Sequence, residues 1–368
     1  MRKLLLIFVI SIEIFVVNSL LAMEEETMDQ FSDTSSSRVS TWNFLNEGDD
    51  LEIIAPSAAP LTPQHKHTVK EFILQHGLRP TLPEEAFNKE ASRYQYYAHS
   101  DEERTKHFIN ALQGSSKALW ALLGGYGTAE IVSIIERSSF SPPACPKLII
   151  GFSDITALHL LAGSWGWPSL HGPVVGLGKE LYSETQEDVN KETELSSVFK
   201  ILKGEITHLE HTFEVIHPGI SLMGTPIIGS VIGGNLSIIE NHSGTKTALN
   251  GKGRFVFFED TPEDGKRLNR RLINLARTGV FDDAKGIIIG YNPIQELEDS
   301  PEATKEAINT FVTQFLLPRN INIPVVYSPR FGHGPFNDVM PLGTMAFLSL
   351  RGEQAFLKVS VNESAYKQ

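Results

Sequence analysis

LIIGFSDITALHL, residues 148–160, passes from an apolar run through a Gly-x-Ser turn into a second apolar segment with helical spacing. The run ending at Gly151 suits a buried strand, and the segment after Asp154 suits a helix packed on it. A strand feeding a helix across a tight turn is the repeating unit of an α/β domain. The turn also raises a chemical question. Ser153 sits where a strand-to-helix corner lifts a hydroxyl above a sheet, as a nucleophilic serine requires. A serine or aspartate there is also the common N-cap of a helix. Ile155 stands where the second glycine of a GxSxG elbow would be, so this stretch alone leaves both readings open.

The same unit recurs upstream. LEIIA (51–55) reads as a first buried strand ending in a Pro/Ser turn, and HKHTVKEFILQHG (65–77) as a helix ending at Gly77. SDEERTKHFINALQ (100–113) is a helix with an acidic first turn, KALWALL (117–123) a strand entering GGYG, and GTAEIVSIIE (127–136) a helix. PSLHGPVV (168–175) adds a short strand-like piece. Alternation of this kind predicts a parallel sheet flanked by helices, with ligands beyond the carboxyl ends of the strands. Both GGYG and GFSD lie at such ends.

Four further segments complete the organisation. Residues 1–22 carry Arg2 and Lys3 ahead of an apolar run, the layout of a secretory leader, and Glu13 argues against a membrane span. Export to the periplasm follows from that reading; a start at Met23 would instead give a cytoplasmic protein. Residues 23–50 are acidic, Ser/Thr-rich and aperiodic, which predicts a flexible linker before a domain spanning 51–176. Residues 177–212 are polar and charged and read as a helical connection outside the core. A second, β-rich α/β domain is expected over 213–364, from the short runs IIGSVIGG, RFVFFED, KGIIIGY, IPVVYSP, MAFLSLRG and AFLKVSV and one helix around RLNRRLINLARTG.

Composition narrows the partners. Acidic residues number 44 against 32 basic ones, with no basic cluster, which argues against a nucleic-acid grip and favours a small-molecule or peptide substrate. Cys145 is the sole cysteine, so neither an intrachain disulfide nor a Cys-based metal cluster forms. No cofactor is expected.

A serine nucleophile needs a base, a group orienting that base, and donors for the oxyanion. GGYG, residues 124–127, offers backbone N–H groups at a strand end, and is also what a tight turn closing a βα unit looks like. Among the histidines, His65, His67, His76 and His107 fall on polar helix faces, and His208, His211 and His217 in a polar connecting region. His159 is expected to pack inside the first domain. His171 in LHGP is a turn candidate for substrate contact. His333 differs in being bracketed by Gly332 and Gly334 on a loop after IPVVYS. A carboxylate must hold the imidazole's tautomer. Glu259 ends the apolar run RFVFFED, with Asp260 as its neighbour and rival, and period-two alternation sends the two to opposite faces.

These motifs together resemble the LD-carboxypeptidases, the muramoyltetrapeptide carboxypeptidase family of serine peptidases, which also contains the microcin C self-immunity peptidases. The resemblance runs from IIAPS through GGYG, IIGFSDITALH, LHGP, IGGNLSII, FFED, GVFDDAKGIIIG and FGHG to PLG at 341–343, nearly all the chain beyond the leader. It implies a nucleophile at Ser153, a triad carboxylate at Glu259 and a base at His333. It also implies an oxyanion hole from the N–H groups of Gly125 and Asp154, with substrate contacts at Tyr126 and Asn235. The implied fold is a flavodoxin-like, class I glutamine amidotransferase-like parallel-sheet domain followed by a smaller C-terminal domain, often in a homodimer. The implied reaction is metal-independent release of terminal D-alanine from murein tetrapeptides. Cleavage of an acyl-aminoacyl nucleotide, as in the immunity peptidases, and muropeptide binding without turnover are the alternatives. One departure stands out: the family commonly has arginine before GGYG, and this chain has Leu123.

Overall fold

The computed structural model describes residues 41–59, 62–82, 97–177, 194–220, 225–263, 265–293 and 301–362. The expected leader and most of the expected linker lie outside these residues.

The first half builds β1 (Asp50–Ile54), α1 (Pro63–Gln75), β2 (Arg79–Thr81), α2 (Asp101–Gln113), β3 (Ala118–Ala121), α3 (Thr128–Arg137), β4 (Leu148–Gly151), α4 (Thr156–Ser164) and β5 (Ser169–His171). Strands β1 to β5 pair in parallel, in the spatial order β5-β4-β3-β1-β2. Every residue of β3 and β4 is buried, as continuous apolar runs covered on both faces must be. Alternation divides them between two cores. Leu51, Ile53, Trp120, Leu148 and Ile150 pack with Val69 and Ile73 of α1. Ile54, Leu119, Ala121 and Ile149 face Phe108 of α2, Ile131 and Ile135 of α3, and Leu158 and Leu161 of α4.

The second half begins with α5 (Glu194–Leu202), followed by β6 (His208–His217), β7 (Ile227–Asn235), α6 (Leu236–Asn241), β8 (Phe255–Glu259), α7 (Gly265–Arg277), β9 (Gly286–Ile289), α8 (Pro301–Phe311), β10 (Val325–Tyr327), β11 (Met340–Leu342), β12 (Met345–Arg351) and β13 (Gln354–Ser360). Seven of these strands close into a barrel in the order β10-β6-β13-β12-β7-β8-β9. On β8, Phe255 and Phe257 pack with Phe213, Phe331 and Leu357 in one core, while Val256 and Phe258 pack with Leu268 and Leu272 of α7 in another. Glu259 therefore continues the face of Phe257, and Asp260 takes the other.

The structure corrects three expectations. The linker does not extend to Asp50: Trp42 and Leu45 are buried in the first core, and the Trp42 indole N–H donates to the carbonyl of Val361 at 3.0 Å. The connection over 177–212 is not outside the core, since Leu195, Val198, Phe199, Ile201 and Leu202 of α5 cover the face lined by Trp120. His208, His211 and His217 belong to a barrel strand, not a polar connection. The second domain also does not keep to itself. β11 pairs antiparallel with β5, Met340 opposite His171, so the late chain supplies an edge strand to the first sheet.

Candidate active site

After β4 the chain turns through a single 3-10 turn, Ser153–Ile155, before α4 starts. Ser153 has φ +62°, a left-handed conformation that costs a non-glycine residue energy and recurs at functional corners. Its hydroxyl caps neither the 3-10 turn nor α4, so the N-cap reading fails. Gly124 explains one part of GGYG. A Cβ there would stand 3.1 Å from the Ser153 Cβ and 3.4 Å from its Oγ, so the missing side chain is what lets the turn lie against the serine.

The carboxylate of Asp154 holds this corner together. It is 2 % exposed and its Oδ2 accepts from the Ser57 hydroxyl at 2.5 Å, the Thr128 hydroxyl at 2.6 Å and the Thr128 N–H at 2.9 Å. The residue capping α3 is Gly127, which has no side chain to offer. Asp154 serves as the missing cap from across the site, tying the GGYG turn to the serine turn. Thr156, at the start of α4, accepts the N–H of Asn235 at 2.8 Å and so seats the serine corner on the end of β7.

Glu259 and His333 meet at the end of the barrel. The His333 ring Nδ1 lies 2.7 Å from Glu259 Oε2, and the His333 backbone N–H donates to the same oxygen at 3.2 Å. Glu259 is fully buried. Burial opposes its ionisation, but the hydrogen bonds and charges of His171 and His333 prevail and hold its pKa at about 2. Burial likewise disfavours protonated His333, and the Glu259 carboxylate outweighs it, raising the imidazole above 6.5. With Nδ1–H given to the carboxylate, Nε2 is left to take a proton. The His333 ring packs on Phe152, the residue before Ser153, at 4.9 Å between centroids. Glu259 and His333 thus meet from two distant segments, and Phe152 brings the serine turn against the His333 ring.

Asp260, the local rival, turns away as alternation requires. It accepts from the Ser237 hydroxyl at 2.6 Å and pairs with Arg271 of α7 at 2.9 Å; burial raises its pKa. Two expected contacts change role. Asn235 is 4 % exposed, with Oδ1 capping α6 and Nδ2 donating to Asp260 at 3.0 Å and lying 3.5 Å from Glu259 Oε1, so its amide has partners inside the protein. His171 is on a strand, fully buried, with Nε2 3.4 Å from Glu259 Oε1. It faces the carboxylate, not solvent, so it is no substrate contact. Tyr126 is 57 % exposed and stacks on Tyr97 at 5.9 Å. Leu123 is buried among apolar side chains of the first core. His159 packs internally as expected, its Nε2 2.8 Å from the Gly151 carbonyl.

Fold and site together define an α/β protein with a strained serine turn at the end of a parallel sheet and an imidazole–carboxylate pair at the end of a barrel, joined through Phe152. The LD-carboxypeptidase N-terminal domain matches residues 51–172 and the LD-carboxypeptidase C-terminal domain matches residues 228–348. A putative carboxypeptidase of Rickettsia conorii is 31 % identical over 282 residues, 76 % of this chain and 82 % of the relative. The murein tetrapeptide carboxypeptidase of Pseudomonas aeruginosa is 29 % identical over 302 residues, 81 % of this chain and 92 % of its own. The fold is also that of the muramoyltetrapeptide carboxypeptidase from Oxalobacter formigenes, with a TM-score of 0.65 at 21 % identity, covering 84 % of this chain and 98 % of that one. This chain belongs to the LD-carboxypeptidase family.

Proposed function

We propose that the protein is a serine carboxypeptidase that removes terminal D-alanine from murein tetrapeptides, cutting the bond between an L-configured centre and D-Ala. The observation that carries the mechanism is the Glu259–His333 hydrogen bond at 2.7 Å, which orients an imidazole packed on the residue preceding Ser153. His333 takes the Ser153 proton as Oγ attacks the carbonyl carbon, then gives it to the departing amine. Glu259 stabilises the imidazolium. The N–H groups of Gly125 and Asp154 hold the oxyanion, each worth about 3 kcal/mol of barrier in sites of this kind. Water, activated by the same imidazole, releases the shortened peptide. Tyr126 offers an exposed ring beside that hole for substrate.

The strand order 2-1-3-4-5 supports the flavodoxin-like assignment of the first domain. Export rests on Arg2, Lys3 and the apolar run after them, and sequencing the mature N-terminus checks it. A homodimer is implied by the family resemblance and is read by sedimentation. The activity itself is tested by incubating the purified protein with disaccharide tetrapeptide and following loss of one alanine by mass spectrometry. Unchanged substrate would overturn the reading.

A further inference from the structure

Glu259 has two oxygens, and His333 uses only one. Oε2 takes both the ring N–H and the backbone N–H of His333, while the loop closes so tightly that a Cβ on Gly332 would stand 2.0 Å from it. Oε1 points the other way, where it meets His171 Nε2 of the first domain at 3.4 Å and Asn235 Nδ2 at the end of β7 at 3.5 Å. Asn235 gives one amide N–H to Asp260 at 3.0 Å and has its second for Oε1. His171 and Asn235 are the two partners of an oxygen with no access to solvent, and His171 is the one supplied by the first domain.

The setting of His171 is built to keep its ring in one pose. Its backbone is locked in β5 between β4 and β11, with Gly151 and Met340 opposite it. The ring meets Phe257 edge-on at 5.0 Å and Phe152 at 6.1 Å, both at near-perpendicular angles. A carboxylate only accepts, so Nε2 must carry the proton. Nδ1 is buried and has no hydrogen-bond partner among the described residues, so the Glu259 contact is the ring's one polar engagement there. The titratable groups around the pair are His159 at 6.2 Å between ring centroids, His333, and Asp260 beside Glu259 in the chain.

We propose that His171 is a positioning residue for the reaction: its Nε2–H anchors Oε1 of Glu259 so that Oε2 stays aimed at His333, and it acts on the base only through that carboxylate. The carboxylate is thus held from both domains, one imidazole on each oxygen. This rests on the Ser153–His333–Glu259 mechanism above. Losing the anchor leaves Oε1 with Asn235 alone, loosens the carboxylate, and makes it a more basic partner for His333.

The test compares His171→Phe, which keeps a flat ring and removes the donor, with His171→Gln, whose amide restores a donor at a similar reach. Circular dichroism establishes folding, and each variant is also made in a Glu259→Gln background. In His171→Phe the turnover rate should fall by roughly one to two orders of magnitude with KM nearly unchanged, as for a misplaced catalytic group. The acid limb of the kcat/KM profile should move to higher pH by roughly half a unit. His171→Gln should recover most of both, and neither change should lower turnover further once Glu259 is an amide. NMR titration of the His333 imidazole, assigned with His333→Gln, reads the same shift without turnover and keeps the test decisive if His171→Phe fails to fold, since His171→Gln then carries it. A wild-type His333 titration and wild-type turnover in a folded His171→Phe would overturn the proposal, as would a folded His171→Gln no better than His171→Phe. If instead Ser153→Ala retained activity, the underlying mechanism would fall, and this inference with it.

Discussion

Two buried carboxylates flank the site, and they do different jobs. Asp154, on the serine side, accepts only from hydroxyls and a backbone N–H, and what it fixes is the placement of two turns. Glu259, on the barrel side, accepts from two imidazoles, and what it fixes is charge as well as place. A carboxylate beside a nucleophile is therefore not by its position part of the chemistry; its partners decide. Asp260 makes the point again one residue from Glu259, since burial raises its pKa in spite of Ser237 and Arg271 while its neighbour's is held low.

Changing each carboxylate to its amide should separate these roles. Glu259→Gln should slow turnover by about 10⁴-fold, the loss typical when a triad carboxylate can no longer hold the imidazole's tautomer. Stability sharpens the same contrast. The Glu259 pKa is depressed from 4.5 to about 2, so its contribution is complete above 4.5 and lost as pH falls through about 2. Thermal melts of wild type should weaken over that window, and the dependence should flatten in Glu259→Gln. Gly332→Ala should slow turnover by about 10²-fold, because a methyl group 2.0 Å from Oε2 must displace the carboxylate from His333. Asp154→Asn should act mainly on folding. It should cost about 1–3 kcal/mol by denaturant titration, since a neutral amide oxygen accepts more weakly than the charged Oδ2 on which three donors converge. Its turnover should fall less than that of Gly332→Ala.

The pH profile offers the mildest probe. His333 must be neutral to act, and its pKa is raised above 6.5, so kcat/KM should fall as pH drops through a midpoint above that value. A midpoint near or below 6.5 would mean that Glu259 does not govern the base.

Much of this was legible in the sequence, for definite reasons. ALWA and LIIG are unbroken apolar runs, and only strands covered on both faces read that way. Glu259 stood out because it ends such a run, and alternation separated it from Asp260. What stayed hidden is where one position carries the signal or where the partner is far along the chain. HLEHTFEVIH fully buries Phe213 alone, and Leu209, Val215 and Ile216 are interspersed with histidines and glutamates, so a barrel strand looks like a connection. Trp42 and Leu45 are isolated apolar residues in a polar stretch, and only Val361 and Leu202 reveal their role. β11 carries a proline and spans three residues, which is short for a strand that joins the other domain's sheet. His171 lies 88 residues from the carboxylate it contacts, a pairing no local pattern encodes.

The central claim is that Ser153 becomes acylated by the peptide it cleaves. Rapid quenching of the enzyme with a murein tetrapeptide, followed by proteolysis and peptide mass mapping, measures this directly. A tripeptidyl adduct is expected on the fragment that carries Ser153, with neither adduct nor alanine release in a folded Ser153→Ala variant. An adduct on another residue, or undiminished alanine release from that variant, would contradict it.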